Sequence, residues 1–146
     1  MSLHYAGSFK ELRVYQKARQ VSQAVFQLSK SFPKEEMYSL TDQLRRAARS
    51  IGSQIAEAWG KRRYEKHFVS KLTDADAEQL ETQHWVSESF DCGYLSLSDA
   101  TRLAEDLQEI GRMLSSMIEK AGSFCSSEDG VLREQVVQYF VADTDY

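Results

Sequence analysis

The sequence predicts an all-α protein that folds as an antiparallel up-down-up-down four-helix bundle. Its apolar residues recur at spacings of three and four over long segments, which is the pattern of amphipathic helices. One proline and seven glycines in 146 residues leave little material for the many turns of an all-β fold. Because the connections between the apolar segments are short, consecutive helices are expected to run antiparallel.

The first predicted helix spans residues 9–30 and ends ahead of Pro33. Its apolar residues alternate by steps of four and three, and they are Val14, Ala18, Val21, Val25, Leu28 and Phe32. Tyr15 and Phe26 lie to one side of this row, so we expect them to contact a further helix or a neighbouring subunit. Residues 1–8 are predicted to be disordered.

The second predicted helix, residues 39–60, is the segment on which the bundle is centred. Its buried stripe is predicted to comprise Leu40, Leu44, Ala47, Ala48, Ile51, Ile55, Ala58 and Trp59. Arg45, Arg46 and Arg49 fall on the opposite side of the same helix. Ser39 and Asp42 predict a capping box at its start, and Gly60 predicts its end.

The third predicted helix covers residues 64–92. Its inward row is Tyr64, Phe68, Leu72, Ala75, Val86 and Phe90, with the polar residues Gln79 and Thr82 in the middle layer. Leu80 and Trp85 lie off this row on opposite flanks. Such residues indicate either a subunit interface or an extra packing layer, and the sequence does not decide between the two.

The fourth predicted helix starts at a cap formed by Ser98 and Asp99 and is closed by Gly122. The predicted bundle therefore occupies residues 9–122. Residues 123–146 are expected to be a flexible or peripheral tail. Its segment VLREQVVQYF is weakly amphipathic, and whether it docks as a short extra helix stays open at this stage.

The charges are divided unevenly between the two halves of the chain. Residues 1–71 contain 14 Lys and Arg against 6 Asp and Glu, and residues 72–146 contain 4 against 16. This division favours pairing of basic and acidic halves, either within one bundle or between subunits. It argues against a uniformly basic nucleic-acid binder.

The sequence indicates a cytoplasmic protein without a membrane anchor. No stretch approaches the roughly 20 apolar residues of a membrane span, and no secretory signal opens the chain. Cys92 and Cys125 form no C-x-x-C pair, so reduced thiols are expected.

No set of residues forms a strong catalytic or metal-binding signature. Glu81 and His84 match one half of a di-iron E-x-x-H motif, but the chain has no second copy, so no metal or other cofactor is predicted. Arg62 and His67 form an R-x4-H pair that resembles the motif of small helical ribonucleases of the HEPN type. A ribonuclease using these two residues is the alternative from the class of enzymes.

The strongest candidates for binding are the basic residues of the second helix and its end, namely Arg45, Arg46, Arg49, Lys61, Arg62 and Arg63. They could contact phosphates, with counterion release making the affinity depend on salt. They could instead form ion pairs, such as Asp42 with Arg46 at i,i+4. No aromatic residue alternates with these cations as in a base-stacking platform, so any binding is expected to follow the backbone or its shape.

Three segments carry a resemblance to a known family: FKELRVYQKA, FPKEEMYSLTDQLRRAARSIGSQIAEAWGKRR, and LETQ followed by CGYL. They resemble the bacterial four-helix bundle proteins of the 23S rRNA intervening-sequence type, over about residues 9–122. A related branch is the accessory variability determinant of diversity-generating retroelements, which binds a reverse transcriptase and RNA. The resemblance implies a ring-like homopentamer without enzymatic activity, and it places the family's basic positions on the six cations named above.

Two departures from the family pattern weaken the expectation of nucleic-acid binding. The chain has Gln54 and Ala58 where the family usually has Asn and Gly, and residues 74–78 are acidic where a Gly-Ser pair is common.

The leading hypothesis is therefore a non-catalytic homo-oligomer, a pentamer by the resemblance, that acts as an accessory or scaffold protein. Weak RNA or DNA binding through the arginine face is a subsidiary hypothesis, and Tyr15, Phe26, Leu80 and Trp85 are the predicted subunit interface. A binder of a nucleic-acid-processing, antitoxin-like or phage-associated partner also fits. No membrane and no small-molecule substrate is predicted.

Overall fold

A computed structural model describes residues 6–125, and these residues form four long helices with no strand among them. The prediction of an all-α four-helix bundle is confirmed. The helices are α1 (Arg13–Ser29), α2 (Asp42–Gly60), α3 (Glu65–Asp91) and α4 (Leu97–Glu119). None of the described helices is long and apolar enough to cross a membrane.

Side-chain contacts between neighbouring helices show the up-down-up-down order. Arg45 near the start of α2 reaches Ser29 at the end of α1, and Lys71 near the start of α3 reaches Glu57 at the end of α2. Lys17 near the start of α1 pairs with Asp106 in the middle of α4 and so links the first and last helices. The most extensive contacts join α2 to α3 and α3 to α4, which places α2 and α3 at the centre of the packing.

The core is built from the rows of apolar residues that the 3.6-residue period predicts. Every residue of the predicted stripe on α2 is buried except Trp59, which is half-buried against the core. Burying a leucine- or isoleucine-sized side chain stabilises the fold by roughly 1.5–3 kcal/mol. The largest fully buried side chains come from all four helices and from the segments that flank them, and they include Leu12, Val21, Leu44, Ile51, Ile55, Phe68, Leu72, Leu107, Ile110, Leu114, Met117 and Phe124.

The predicted start of the second helix is wrong in detail, because Ser39 does not cap it. Residues Met37–Thr41 already form a π-helical turn that continues into α2, and the amide of Asp42 donates to the carbonyl of Met37. Since the preceding turn supplies carbonyls to the first amides of α2, no side-chain cap is needed.

The starts of the first and fourth helices also differ from the prediction. Residues Phe9–Glu11 form a 3-10 turn that Ser8 caps, and the α-helix begins only at Arg13. At α4 the cap is Ser96, whose hydroxyl accepts from the amide of Asp99 at 3.0 Å, and not the predicted Ser98. Ser96 has extended backbone angles, as an N-cap requires, whereas Ser98 is already inside the helix.

The inward row of α3 follows the prediction in the middle of the helix and departs from it at both ends. Tyr64 is 59% exposed and Phe90 39% exposed, whereas Ser89 is buried. Tyr64 is the N-cap of α3 with extended backbone angles, so it stands before the first helical turn. Phe90 lies in the last turn, one residue before the end of α3.

The packed part of the described chain extends beyond residues 9–122 in both directions. Ala6 is buried, Phe124 stacks on Phe68 with ring centroids 5.7 Å apart, and Cys125 is buried beside them. Burial raises the pKa of the Cys125 thiol to about 11, so this cysteine stays protonated at neutral pH. The predictions for residues 1–5 and 126–146, including the segment VLREQVVQYF, lie outside the described residues.

Candidate nucleic-acid interface

Helices α1 and α2 enclose a shallow groove of about 440 Å³, called here the α1–α2 groove. One wall is formed by α1 and the turn before it, and the other by α2. Its lining combines aromatic rings, arginines and small residues, and it comprises Phe9, Tyr15, Arg19, Ser22, Gln23, Phe26, Arg49, Gly52, Ser53 and Ala56.

The groove exists because α2 presents three small residues where α1 presents large ones. Gly52, Ser53 and Ala56 form the α2 wall. A Cβ atom at Gly52 would lie 3.5 Å from Cε2 of Tyr15, which is an ordinary contact distance. The tyrosine ring thus packs directly on the glycine, and the space beside it stays open to solvent.

Two aromatic residues fix the end of the groove that lies near the start of α1. The rings of Phe9 and Tyr15 meet edge to face, with centroids 4.9 Å apart. The Tyr15 hydroxyl accepts a hydrogen bond of 3.3 Å from the Arg19 guanidinium. The Tyr15 ring, which Phe9 holds in place, therefore fixes the orientation of the Arg19 side chain.

Phe26 lies beneath three cations at the other end of the groove. The distances to its ring centroid are 4.8 Å for Lys30 Nζ, 5.0 Å for Arg45 Cζ and 5.5 Å for Arg49 Cζ. Arg45 Nε also donates to the Ser29 hydroxyl at 2.8 Å. No aromatic residue alternates with the arginines along the sequence, but the neighbouring helix α1 brings the Phe26 ring to Arg45 and Arg49.

Five cations on α1, at its C-terminal end and on α2 have no neutralising carboxylate in the part of the chain that the structure describes. No Asp or Glu oxygen lies within 4.0 Å of the basic surface, defined here as Arg19, Lys30, Arg45, Arg46 and Arg49. The predicted alternative, an ion pair of Asp42 with Arg46, is not formed.

Three other cations of the described chain, Lys17, Lys71 and Arg102, do pair with carboxylates. Lys17 contacts Asp106 and Glu109 on α4, both at 3.1 Å. Partial burial alone would lower the pKa of Lys17, but these two hydrogen bonds outweigh it and raise the pKa above the ordinary value. Lys71 similarly contacts Glu57 at 2.8 Å.

Arg46 differs from Arg45 and Arg49 in lying closer to the acidic third helix. It is exposed, and it is near enough to Glu78 on α3 to act on the pKa of that carboxyl. Burial and a hydrogen bond with Glu81 raise this pKa, and the Arg46 charge opposes the rise. The arginine triplet is therefore split, with two members over the groove and one beside α3.

The second predicted cluster, Lys61 to Arg63, lies at the far end of α2. Twelve residues separate Arg49 from Lys61, which corresponds to about 18 Å along a helix at 1.5 Å per residue. Lys61 and Arg63 are exposed. The structure therefore does not combine these residues with the groove into one compact site.

Arg62 and His67 have different neighbours. The Arg62 guanidinium lies 3.6 Å from the ring centroid of Trp59, and its Nε donates to the Trp59 carbonyl at 2.9 Å. The exposed His67 ring instead contacts Tyr64, with centroids 5.4 Å apart. The ribonuclease alternative requires two such pairs to meet across a dimer, so it stays a prediction. Within residues 6–125 no group of three or more metal-ligating side chains is present.

The four residues predicted for a subunit interface fall into two pairs. Tyr15 and Phe26 line the α1–α2 groove, where they already have partners within the chain. Leu80 on α3 is 55% exposed. Trp85 is half-buried, and its indole N–H has no acceptor among the described residues. The interface itself stays a prediction.

Sequence reasoning missed the contribution of Arg19 and Lys30 to the basic surface. A signal was present, because Tyr15, Arg19, Phe26 and Lys30 fall within roughly 60° of one another at 100° per residue. This polar and aromatic row runs beside the buried row of α1. Only the pairing of α1 with α2 brings it to Arg45 and Arg49.

Comparison with known proteins adds a family and a fold. A family model described as 23S rRNA-intervening sequence protein matches residues 10–116. A similar solved structure is that of a protein with unknown function from the S23 ribosomal protein family of Bacteroides thetaiotaomicron VPI-5482. The two chains are 25% identical with a TM-score of 0.66, and the similarity covers 73% of this chain and 98% of the other. No curated protein matches the sequence.

Proposed function

The chain belongs to the 23S rRNA-intervening sequence protein family, and on this premise we propose that it is a non-catalytic, homo-oligomeric accessory bundle that binds nucleic acid through its basic surface. The observation that carries the proposal is the cluster of five cations on α1, its C-cap and α2, three of which surround the Phe26 ring, without a neutralising carboxylate among the described residues.

The geometry of the basic surface suits a phosphate backbone. Guanidinium groups bind phosphate oxygens through two parallel hydrogen bonds, and three of the charges are gathered around Phe26. Each neutralised phosphate releases condensed counterions, so the affinity gains an entropic term that decreases with salt. The acidic half of the chain repels nucleic acid, which restricts binding to the α1–α2 side.

The proposal is tested by RNA binding at low salt, measured by fluorescence anisotropy. The variant carries Arg45→Gln, Arg46→Gln and Arg49→Gln, and we expect it to lose most of the affinity of the wild type. A matched control carries Arg102→Gln and Arg112→Gln on α4 and Lys120→Gln at its C-cap, which changes the net charge by the same amount. Circular dichroism checks that both variants remain helical.

The control variant shows whether RNA binding requires the basic surface itself or only the positive charge of the protein as a whole. If both variants lose affinity equally, the binding depends on net charge and the basic surface has no special part. If the α2 variant binds as well as the wild type, the proposal is wrong. The same incubations report on catalysis: the RNA should stay intact, and cleavage that His67→Ala abolishes would establish the ribonuclease instead.

A further inference from the structure

We propose that the α1–α2 groove accepts an unpaired base, so that the protein prefers single-stranded over double-stranded nucleic acid. This inference rests on the proposed function and specifies its substrate class. It goes beyond backbone binding, because the lining of the groove offers groups that interact with a base as well as groups that interact with phosphate.

The first step is the shape of the groove. Its volume of about 440 Å³ is within the range of small-molecule sites, roughly 300–1,000 Å³. The α2 wall is made by Gly52, Ser53 and Ala56, whose small side chains leave the space open. A flat group can therefore enter between the two helices from solvent.

The second step is the chemistry of the lining. Nucleobases stack on aromatic rings and on guanidinium planes, and Tyr15, Phe26 and Arg49 provide both kinds of surface within one groove. The exposed amide of Gln23 can donate to and accept from a base edge. Arg45 and Lys30 lie around Phe26, where they can contact the phosphates on either side of the bound base.

The third step is the exclusion of duplexes. In a double-stranded A-form helix the bases are paired and stacked, and the deep, narrow major groove keeps side chains from them. A duplex can therefore offer phosphates, riboses and the base edges of its minor groove to the basic surface, but no unstacked base. A single strand can offer the same phosphates and, in addition, one base to the groove.

A second copy of this chain is the competing occupant, since its acidic α3 and α4 would also suit the arginines. An apolar or acidic side chain from a subunit would fill the groove without involving RNA. The groove variants described next separate the two occupants, because loss of RNA affinity and loss of oligomeric mass are measured on the same protein.

The experiment compares single-stranded and double-stranded RNA of equal length, using the wild type and Ser53→Leu. Ser53 is exposed and lines the groove, so leucine there fills the space while all cations remain. Ser115→Leu is the matched control, because Ser115 is also exposed and lines the separate groove between α3 and α4. Phe26→Leu provides a second variant that removes the ring and keeps an apolar side chain.

The wild type should bind the single strand more tightly. Ser53→Leu and Phe26→Leu should lower single-strand affinity about tenfold, the size expected for one stacked base, while duplex affinity stays unchanged. Ser115→Leu should change neither. A 2-aminopurine base in the single strand should be quenched on binding to the wild type and not to Ser53→Leu.

Three outcomes overturn the inference. Equal affinity for both RNAs, unchanged in Ser53→Leu, refutes the base site and leaves the proposed function intact. A lower oligomeric mass of Ser53→Leu with unaltered RNA affinity assigns the groove to a subunit contact. Absence of binding to either RNA refutes the proposed function, and the inference fails with it.

Discussion

Gln79 occupies the middle of the bundle with only 4% of its surface exposed. Its amide nitrogen donates to Asp76 at 3.0 Å, and its amide oxygen accepts from Gln83 at 2.7 Å. A buried amide is tolerated only when its donors and acceptors are satisfied, and these two partners hold it in one orientation. Gly111 on α4 lies opposite, where a Cβ would come within 2.9 Å of the Gln79 nitrogen.

Gly111→Ala should therefore destabilise the protein although alanine favours helices. Overpacking costs about 1–3 kcal/mol, which outweighs the gain in helix propensity of about 1 kcal/mol. We expect the free energy of unfolding, measured in urea, to fall by about 1 kcal/mol. Gly60→Ala is the control, since no atom lies within 4 Å of a Cβ there, and it should be neutral or stabilising. A Gly111→Ala protein as stable as the Gly60→Ala protein would contradict this packing.

The Glu78 carboxyl makes the stability of the fold depend on pH. Burial raises the pKa of Glu78 above its ordinary value of 4.5, and the hydrogen bond with Glu81 raises this pKa further. The folded protein binds this proton more readily than the unfolded chain does. The free energy of unfolding therefore increases as the pH falls through the raised pKa of Glu78, and the increase is complete below the ordinary pKa of 4.5.

Glu81→Gln should stabilise the protein at neutral pH by a few tenths of a kcal/mol, because it removes a like charge one helical turn away. The difference from the wild type should shrink as the pH falls through the Glu78 pKa, as measured by urea unfolding across a pH series. Glu119→Gln serves as control, because no Asp or Glu lies three or four residues from Glu119. A stability difference that stays constant or grows on acidification would refute the assigned coupling.

The helix starts show at the scale of elements which features a sequence pattern can predict. The buried rows of α1, α2 and α4 were predictable, because steps of three and four keep the same face inward over many turns. The starts were not, since Ser39, Ser96 and Ser98 are all suitable caps by residue type. The choice depends on whether the preceding backbone is extended, as at Ser96, or already helical, as before α2.

The cap of α4 can be identified by three serine substitutions. Ser96→Ala should lower the unfolding free energy by about 1 kcal/mol, because it removes the acceptor of the Asp99 amide. Ser98→Ala and Ser39→Ala should have much smaller effects, since neither hydroxyl caps a helix in the structure. Thermal unfolding of the three variants measures the difference, and equal losses at Ser96 and Ser98 would show that the cap is misassigned.

The candidate site was only partly predictable for a related reason. Arg45, Arg46 and Arg49 could be found because they share one helix. Phe26, from α1, could not be placed among them, because its contact with the arginines depends on the register of two helices. The contact adds an aromatic ring to the positive charge of the arginines.

The whole molecule keeps the two signs of charge largely apart. Among the described residues, Lys17 with Asp106 and Glu109 is the contact that joins the basic first helix to the acidic fourth. Most acidic residues of α3 and α4 thus remain exposed to solvent, together with Leu80. This arrangement suits association between the α3–α4 side of one subunit and a further subunit, which the proposed homo-oligomer requires.

Light scattering coupled to chromatography should therefore give a mass several times the 16.7 kDa of one chain, about fivefold if the pentamer implied by the family resemblance forms. Leu80→Glu should lower this mass, because it places a charge on the predicted interface. Leu97→Glu is the matched control, as Leu97 is 67% exposed at the start of α4 and belongs to no predicted contact. A wild-type monomer at micromolar concentration would exclude the oligomer.

The most direct test of RNA binding by the basic surface is the salt dependence of the affinity for a single-stranded RNA. The logarithm of the association constant should fall linearly with the logarithm of the salt concentration. Replacing Arg45, Arg46 and Arg49 by glutamine should make the slope shallower by about 2, at about 0.7 per phosphate contact for a single strand. A wild-type affinity that does not change with salt, or an identical slope in the triple variant, would contradict binding through these arginines.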